Sequence, residues 1–329
     1  MKAKLVALSM AAVALAMTGC SNDENEEMDN WNGEIRLSSG VAVQTRANTQ
    51  AEQIQSGETV YAWVDKAANA KAESYINAWT LTAQGNGSFT GSSKYYPTDG
   101  STLDFYAMHG NFASGEFTED DTEFPETAVV HSVEADQSGT DMENYAKSDL
   151  LYAVKKGVTR SSNAVELPFY HMLSKVEVAL KSGDGNPNLE GATVTIEGTK
   201  LKAEFTPSKD VAMDDQSARE NMITIPSDDN EVAPVKIRTV ATDNLDTNTE
   251  YGEAVLLPKQ TIVENVTFIK VALQDGATFS YKISDTDGLK LESGKKYTYK
   301  ITVNQSGLSV SSKIDDWIQV NKEGEATMD

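Results

Sequence analysis

Cysteine is nearly missing from this chain. Its 329 residues hold one cysteine and three histidines, His109, His131 and His171. A lone thiol cannot close an internal disulfide or build a thiolate zinc site. Histidines scattered on separate stretches do not make a metal-ligand spacing either. Positive charge is also scarce: 28 Lys and Arg stand against 50 Asp and Glu, a formal net charge of -22. A polyanion of that size repels phosphate backbones and anionic headgroups, so nucleic acid is not an expected partner. Past Met17 no long apolar run occurs, and no stretch keeps a helical period for more than two or three turns. The best short helix candidates are Thr49–Gln55 and Asp214–Met222.

The usual signatures of chemistry are absent as well: there is no GxGxxG, P-loop, HExxH or GxSxG. Two acidic stretches invite comparison with cation sites. The run Glu116, Glu119, Asp120, Asp121, Glu123 and Glu126 suits a solvated loop better than a calcium loop. Asp184, Asn186 and Asn188 copy the first ligand positions of a calcium-binding EF loop, but Leu189 replaces its glycine and Thr195 its bidentate glutamate, so a turn is expected. The expectation is a protein that is not an enzyme, with no catalytic residue, cofactor or metal.

What is present starts with an address. Lys2 and Lys4 precede the apolar run Leu5–Met17. At 1.5 Å per residue that run is too short for ~30 Å of hydrocarbon, which fits an export signal better than a membrane span. Its end, Thr18-Gly19-Cys20, resembles the bacterial lipobox, with Met17 where leucine is preferred. Residues 1–20 are therefore expected to be a lipoprotein signal peptide, with Cys20 the lipidated residue. Each buried methylene of an acyl chain contributes about 0.8 kcal/mol, so two or three chains hold a protein on a membrane. The acidic, aperiodic SNDENEEMDN that follows reads as a solvated tether.

From residue 34 the hydrophobic period is two. Residues 59–64, 78–83, 102–108, 174–180, 192–196, 266–273, 278–283 and 296–303 alternate or are rich in β-branched and aromatic residues. Turn sequences such as GNG (85–87), TDG (98–100) and ESG (292–294) separate them. Short strands with Gly/Asp/Asn turns at this spacing indicate an all-β sandwich, and the length suits about two domains of ~150 residues. The small polar stretch 157–166 suggests a junction near residue 168, giving domains 47–168 and 169–329. Trp63, Trp79, Tyr95, Tyr96, Phe105 and Tyr106 suit a sugar-stacking platform less well than core and cross-strand pairs.

Two ladders flank this body. In residues 34–44, Ile35, Leu37, Val41 and Val43 share one parity, interrupted by Ser39. In residues 308–320, Leu308, Val310, Ile314, Ile318 and Val320 do the same, with Ser312 and Asp316 as exceptions. Between the first ladder and the body stands Arg46, followed by Ala47 and a polar stretch suited to proteolysis. A cut there removes tether and ladder together. Emptying a groove of four or five apolar side chains exposes roughly 10 kcal/mol of hydrophobic demand, which a strand from a neighbouring molecule satisfies by β-addition. Such contacts are head-to-tail and give a filament. Periodicity alone favours two ordinary strands of one monomer, because any half-buried strand alternates.

Longer words shift that balance. KYYPTDGSTLDFYA (94–107), SDLLYA (148–153) and LPFYHMLSKVEVAL (167–180), with the lipobox, TRA at Thr45–Ala47 and the late Trp317, resemble the fimbrillin family of Bacteroidota pilus subunits over nearly the whole chain. The resemblance implies two tandem transthyretin-like β-sandwiches and export as an outer-membrane lipoprotein. It further implies that residues 21–46 form a propeptide removed after Arg46 by an arginine-specific protease, and that a C-terminal strand joins other fimbrillin subunits in a cell-surface fimbrium. Residues 34–44 seated in a groove of the second domain would support this reading, and 308–320 is the candidate donor. The alternative it leaves open is a pilus tip or accessory adhesin that binds glycan or protein.

Overall fold

Alternation decides the architecture. An extended chain places every second side chain on one face, and the apolar set is buried there. The computed structural model describes residues 31–41, 54–68, 71–139, 143–227, 232–239 and 249–317. Cys20, Val43, Arg46, Ala47, Ile318 and Val320 lie outside the described residues, as do the side chain of Val41 and most of the helix expected at 49–55.

The strands begin with β1 (Leu37–Val41), β2 (Thr59–Ala68), β3 (Lys71–Ala83), β4 (Phe89–Gly91), β5 (Thr102–His109) and β6 (Val129–Ser132). Helix α1 (Glu143–Ser148) leads into β7 (Leu151–Val158), β8 (Val165–His171), β9 (Ser174–Ser182), β10 (Thr193–Lys200) and β11 (Lys202–Phe205). Helix α2 (Gln216–Asn221) is followed by β12 (Ile223–Thr224), β13 (Val232–Lys236), β14 (Arg238–Thr239) and β15 (Thr249–Leu256). The last strands are β16 (Gln260–Ile262), β17 (Thr267–Ala272), β18 (Thr278–Lys282), β19 (Leu289–Leu291), β20 (Lys295–Asn304) and β21 (Gly307–Asp316). All eight expected strands form, and the fold is all-β. Helix α2 starts where Asp215 caps it, its carboxylate accepting from the Ser217 and Ala218 N–H groups. Helix α1 has no helical period in the sequence and was not foreseen.

The strands form a seven-stranded sheet, β1-β8-β7-β5-β2-β3-β4, and a five-stranded sheet, β14-β15-β9-β20-β21. Four-, three- and two-stranded sheets accompany them: β13-β10-β17-β18, β12-β11-β6 and β16-β19. One core cluster joins Val176, Val178 and Leu180 of β9 and Ile301 of β20 to Ile196 of β10 and Ile269 and Val271 of β17. A second gathers Trp63, Tyr106 and Tyr152 with Phe205, Val255 and Trp317. This second cluster draws on chain from both sides of residue 168, within the single compact unit that runs from Gly33 onward. Residue 168 itself lies inside β8, and 157–166 contains the loop between β7 and β8 of one sheet.

The polar parity of β9 is buried too. Lys175 contacts Glu253 at 2.7 Å and Glu177 at 3.2 Å, and Arg238 reaches the other oxygen of Glu253 at 3.1 Å. Glu253 is fully buried, so each carboxylate there requires its cation: breaking such a pair leaves an uncompensated buried charge.

Candidate functional site

The slot occupied by residues 33–41 is the most distinctive site in the fold. On one flank β1 runs parallel to β8, with Leu37 opposite Val165 and Val41 opposite Phe169. The Val165 N–H donates to the Arg36 carbonyl at 2.8 Å. On the other flank it runs antiparallel to residues 87–96, through the bridges Glu34–Tyr95 and Ser38–Ser88. There the Ile35 N–H donates to Lys94 O at 2.7 Å, the Ser39 N–H to Gly87 O at 2.7 Å, and the Tyr96 N–H to Gly33 O at 2.9 Å. The segment thus joins the β8 end of the seven-strand order to the β4 end and closes that sheet on itself. The slot lies in the seven-stranded sheet and not among the strands that follow β8. The reason is that a period-two ladder specifies which face is buried, whereas partner and direction come from tertiary pairing.

The alternation sets which side chains fill it. Ile35 and Leu37 are buried at 3% and 6% exposure, while Arg36 between them faces water. Tyr96, Val165, Leu167 and Phe169 are buried around them, and the rings of Phe89 and Phe169 meet at 6.4 Å from the two flanking walls. Two glycines mark the ends. Gly33 has φ +87°, and a Cβ there would lie 2.8 Å from the Arg160 guanidinium. At Gly40 a Cβ would lie 2.6 Å from Glu166 Oε1.

The C-terminal ladder lies elsewhere. β21 is the outer strand of the five-stranded sheet and, among the described residues, pairs with β20 alone: Leu308 faces Val303, Val310 faces Ile301, and Ile314 faces Tyr297. Leu308 and Val310 are partly buried against the first core cluster, and Ile314 is 55% exposed. Its far end is fastened by Trp317, whose indole stacks on His171 at 3.7 Å and 16° and whose backbone N–H donates to Gly294 O. His171 also approaches Asp149 at 2.8 Å, although its ring nitrogens make no aligned hydrogen bond.

The remaining candidates resolve into structure. Trp63, Trp79, Tyr96, Phe105 and Tyr106 are buried, and Tyr95 is exposed. Asn186 takes φ +47° in a tight turn closed by its N–H on Gly183 O. All three histidines are buried, deeper than edge positions would be. Burial lowers the His131 ring to about 4, against a hydrogen bond to Ser148 O that favours its protonated form. A polar cavity of about 500 Å³ is lined by Glu58, Tyr61, His109, Asn111, Phe112 and Glu143, among others. Burial pushes the Glu58 carboxyl above its ordinary value; His109 opposes that shift and Glu143 reinforces it. Among the described residues no cluster of three or more His, Cys, Asp or Glu could hold a metal ion.

Fold and slot together define an all-β protein whose first sheet is closed by its own leading segment. Residues 45–317 match the family model described as Fimbrillin-like, and the chain belongs to that family, which is not an enzyme class. A Bacteroides uniformis protein provisionally named fimbrium subunit Fim1C is 26% identical over 98% of each chain. Two crystal structures of provisionally named cell adhesion proteins share the fold. The one from Bacteroides uniformis is 20% identical at TM-score 0.57, covering 87% of this chain and 98% of its own. The one from Bacteroides ovatus is 17% identical at TM-score 0.56, covering 88% and 98%.

Proposed function

We propose that this protein is a structural subunit of a cell-surface pilus, working by assembly with other subunits and not by catalysis. In this reading Cys20 carries the lipid anchor at the outer membrane, and an arginine-specific protease cuts between Arg46 and Ala47. Release of the segment ending at Arg46 vacates the slot, and a strand from a neighbouring subunit refills it. The seven-stranded sheet and the sheets around the first core cluster are read as two sandwiches in tandem.

The observation that carries this is the position of residues 33–41. They are hydrogen-bonded on both flanks and bury Ile35 and Leu37, and in sequence they are joined to β2 through the stretch that contains Arg46. Their removal exposes two side chains at ~1.5–3 kcal/mol each and leaves two unpaired strand edges. A subunit in that state associates through its edges. The test is digestion of the lipid-free precursor with an arginine-specific protease, followed by unboiled gel electrophoresis. A ladder that disappears in Arg46→Ala supports the reading; clean cleavage at Arg46 with monomer alone, partner subunits supplied, ends it.

A second reading, an adhesin at the tip or along the pilus, is favoured by the cavity beside Glu58. It places carboxylates and the Asn111 amide next to Tyr61 and Phe112, groups that suit a hydroxyl-rich ligand with an apolar face. Glycan-array binding lost in Glu58→Gln would promote this reading, and an array with no hits would retire it.

A further inference from the structure

We infer that the slot is addressed by residues 308–314 of a second copy of this chain, in one register, with Lys313 meeting Glu166. This rests on the strand-exchange reading and goes beyond it by naming the register and the residue that selects it.

The first support is a likeness between the slot's present occupant and β21. Residues 35–41 read Ile-Arg-Leu-Ser-Ser-Gly-Val, and residues 308–314 read Leu-Ser-Val-Ser-Ser-Lys-Ile. Aligned without a gap, the apolar positions coincide at 35/308, 37/310 and 41/314, and the Ser-Ser pair is shared. The parity agrees in space as well as in sequence. On β20, the partners of Leu308, Val310 and Ile314 are Val303, Ile301 and Tyr297, all buried in one core cluster. The three apolar side chains of β21 therefore face one way, as Ile35 and Leu37 do in the slot.

The second support is the contrast between the two seats. At home β21 has a strand on one side only, and Ile314 is 55% exposed. In the slot the same stretch would be bonded on both sides, and Ile314 would take the position that pairs with the buried Phe169.

The third support is charge. Glu166 is exposed and has no ion-pair partner among the described residues. Its carboxylate lies directly over Gly40, the position that Lys313 would take. The Glu166 side chain is free to swing aside, so a lysine there passes alongside the carboxylate and pairs with it. At home the Lys313 side chain is 74% exposed and touches only Asp315, at 2.7 Å, two residues along its own strand. The leading segment, with glycine at this position, leaves Glu166 unpaired.

Engineered cysteines read the register directly, because Cys20 is the chain's single cysteine and Cys20→Ser removes it. In the proposed register Ser311 sits at position 38, opposite Glu166. Copies carrying Glu166→Cys, mixed with copies carrying Ser311→Cys and cleaved by the arginine-specific protease, should form a disulfide dimer. Ser309→Cys, two residues out of step and on the side away from the Glu166 side chain, should form far less. Separately, Lys313→Glu should slow the growth of the gel ladder roughly two- to fivefold, the range of an exposed ion pair, and Glu166→Lys in the same chain should restore it. A ladder that cross-links equally through Ser309, or a charge swap without rescue, overturns the register and leaves strand exchange standing. Cleavage that yields no ladder in any variant overturns both.

Discussion

β1 and β21 present nearly the same side chains to the molecule and are held very differently. β1 is bonded on both flanks and sinks Ile35 and Leu37 to a few per cent exposure. β21 is bonded on one flank, along its length to β20, leaves Ile314 more than half exposed, and is pinned at its end by Trp317. Local sequence therefore does not decide how firmly a strand is kept; the number of neighbours does. A strand with two neighbours is part of the wall, and a strand with one is an edge open to exchange. Under the proposed function, that asymmetry suits a subunit that keeps a filled slot until it is processed and carries its donor in a shallow seat.

The largest test removes the fastening of the weaker strand. Trp317 is buried and stacked, so Trp317→Ala should cost about 4 kcal/mol, in the range for a large aromatic replaced by alanine. Urea unfolding measures the loss, and limited proteolysis should show the β20–β21 hairpin cut first. If the hairpin is cut no faster than in the parent, Trp317 is not the fastening and the contrast loses one side.

An acid scan asks next whether both strands ride on one body. His131 sits on β6, which pairs with β11 and with neither ladder. Its folded pKa is depressed from 6.5 to about 4 by burial. The unfolded chain therefore binds a proton that the folded chain refuses, and stability present above pH 6.5 is lost as pH falls toward 4. The total is on the order of 3 kcal/mol. The same loss should appear in backgrounds altered in β1 or β21, measured by denaturant midpoints at pH 7 and 4.5. A different slope in a β1 variant would show that the slot and the β6 region unfold as separate units.

Much of this was legible beforehand and some was not, for identifiable reasons. The eight expected strands formed because alternation and turn residues act locally. The capped start of α2 was likewise local, in Asp215. The slot's flanks were not legible: nothing in Ile35 or Leu37 says that the partner is β8, or that it runs parallel. The polar parity of β9, Lys175 and Glu177, reads as a solvent face, yet it is covered, and that shows only once Glu253 and Arg238 are brought in from β15 and β14. The resemblance to fimbrillins supplied the family; the geometry supplied the location of the slot.

The two strands can also be compared directly. Leu37→Ala should cost about 2–3 kcal/mol, the lower end for a buried leucine, because the site lies near the sheet surface and can partly collapse. Leu308→Ala, at a half-buried site, should cost about 1 kcal/mol. Equal losses in urea would mean that β1 and β21 are equally embedded, which removes the basis for treating one as wall and the other as donor.

The smallest expected effect is the most specific. Ile314 is more than half exposed at home, so Ile314→Ala should leave the unfolding midpoint of the monomer within about 0.5 kcal/mol of the parent. If the same residue is buried opposite Phe169 after exchange, the change should destabilise the assembled ladder far more than the monomer. Boiling-resistance of the ladder, compared with the monomer's urea midpoint, gives both numbers on one variant. A residue silent in the free subunit and costly in the polymer marks a surface made for the second seat. Equal, small effects in both would place Ile314 in solvent throughout and remove it from the donor strand.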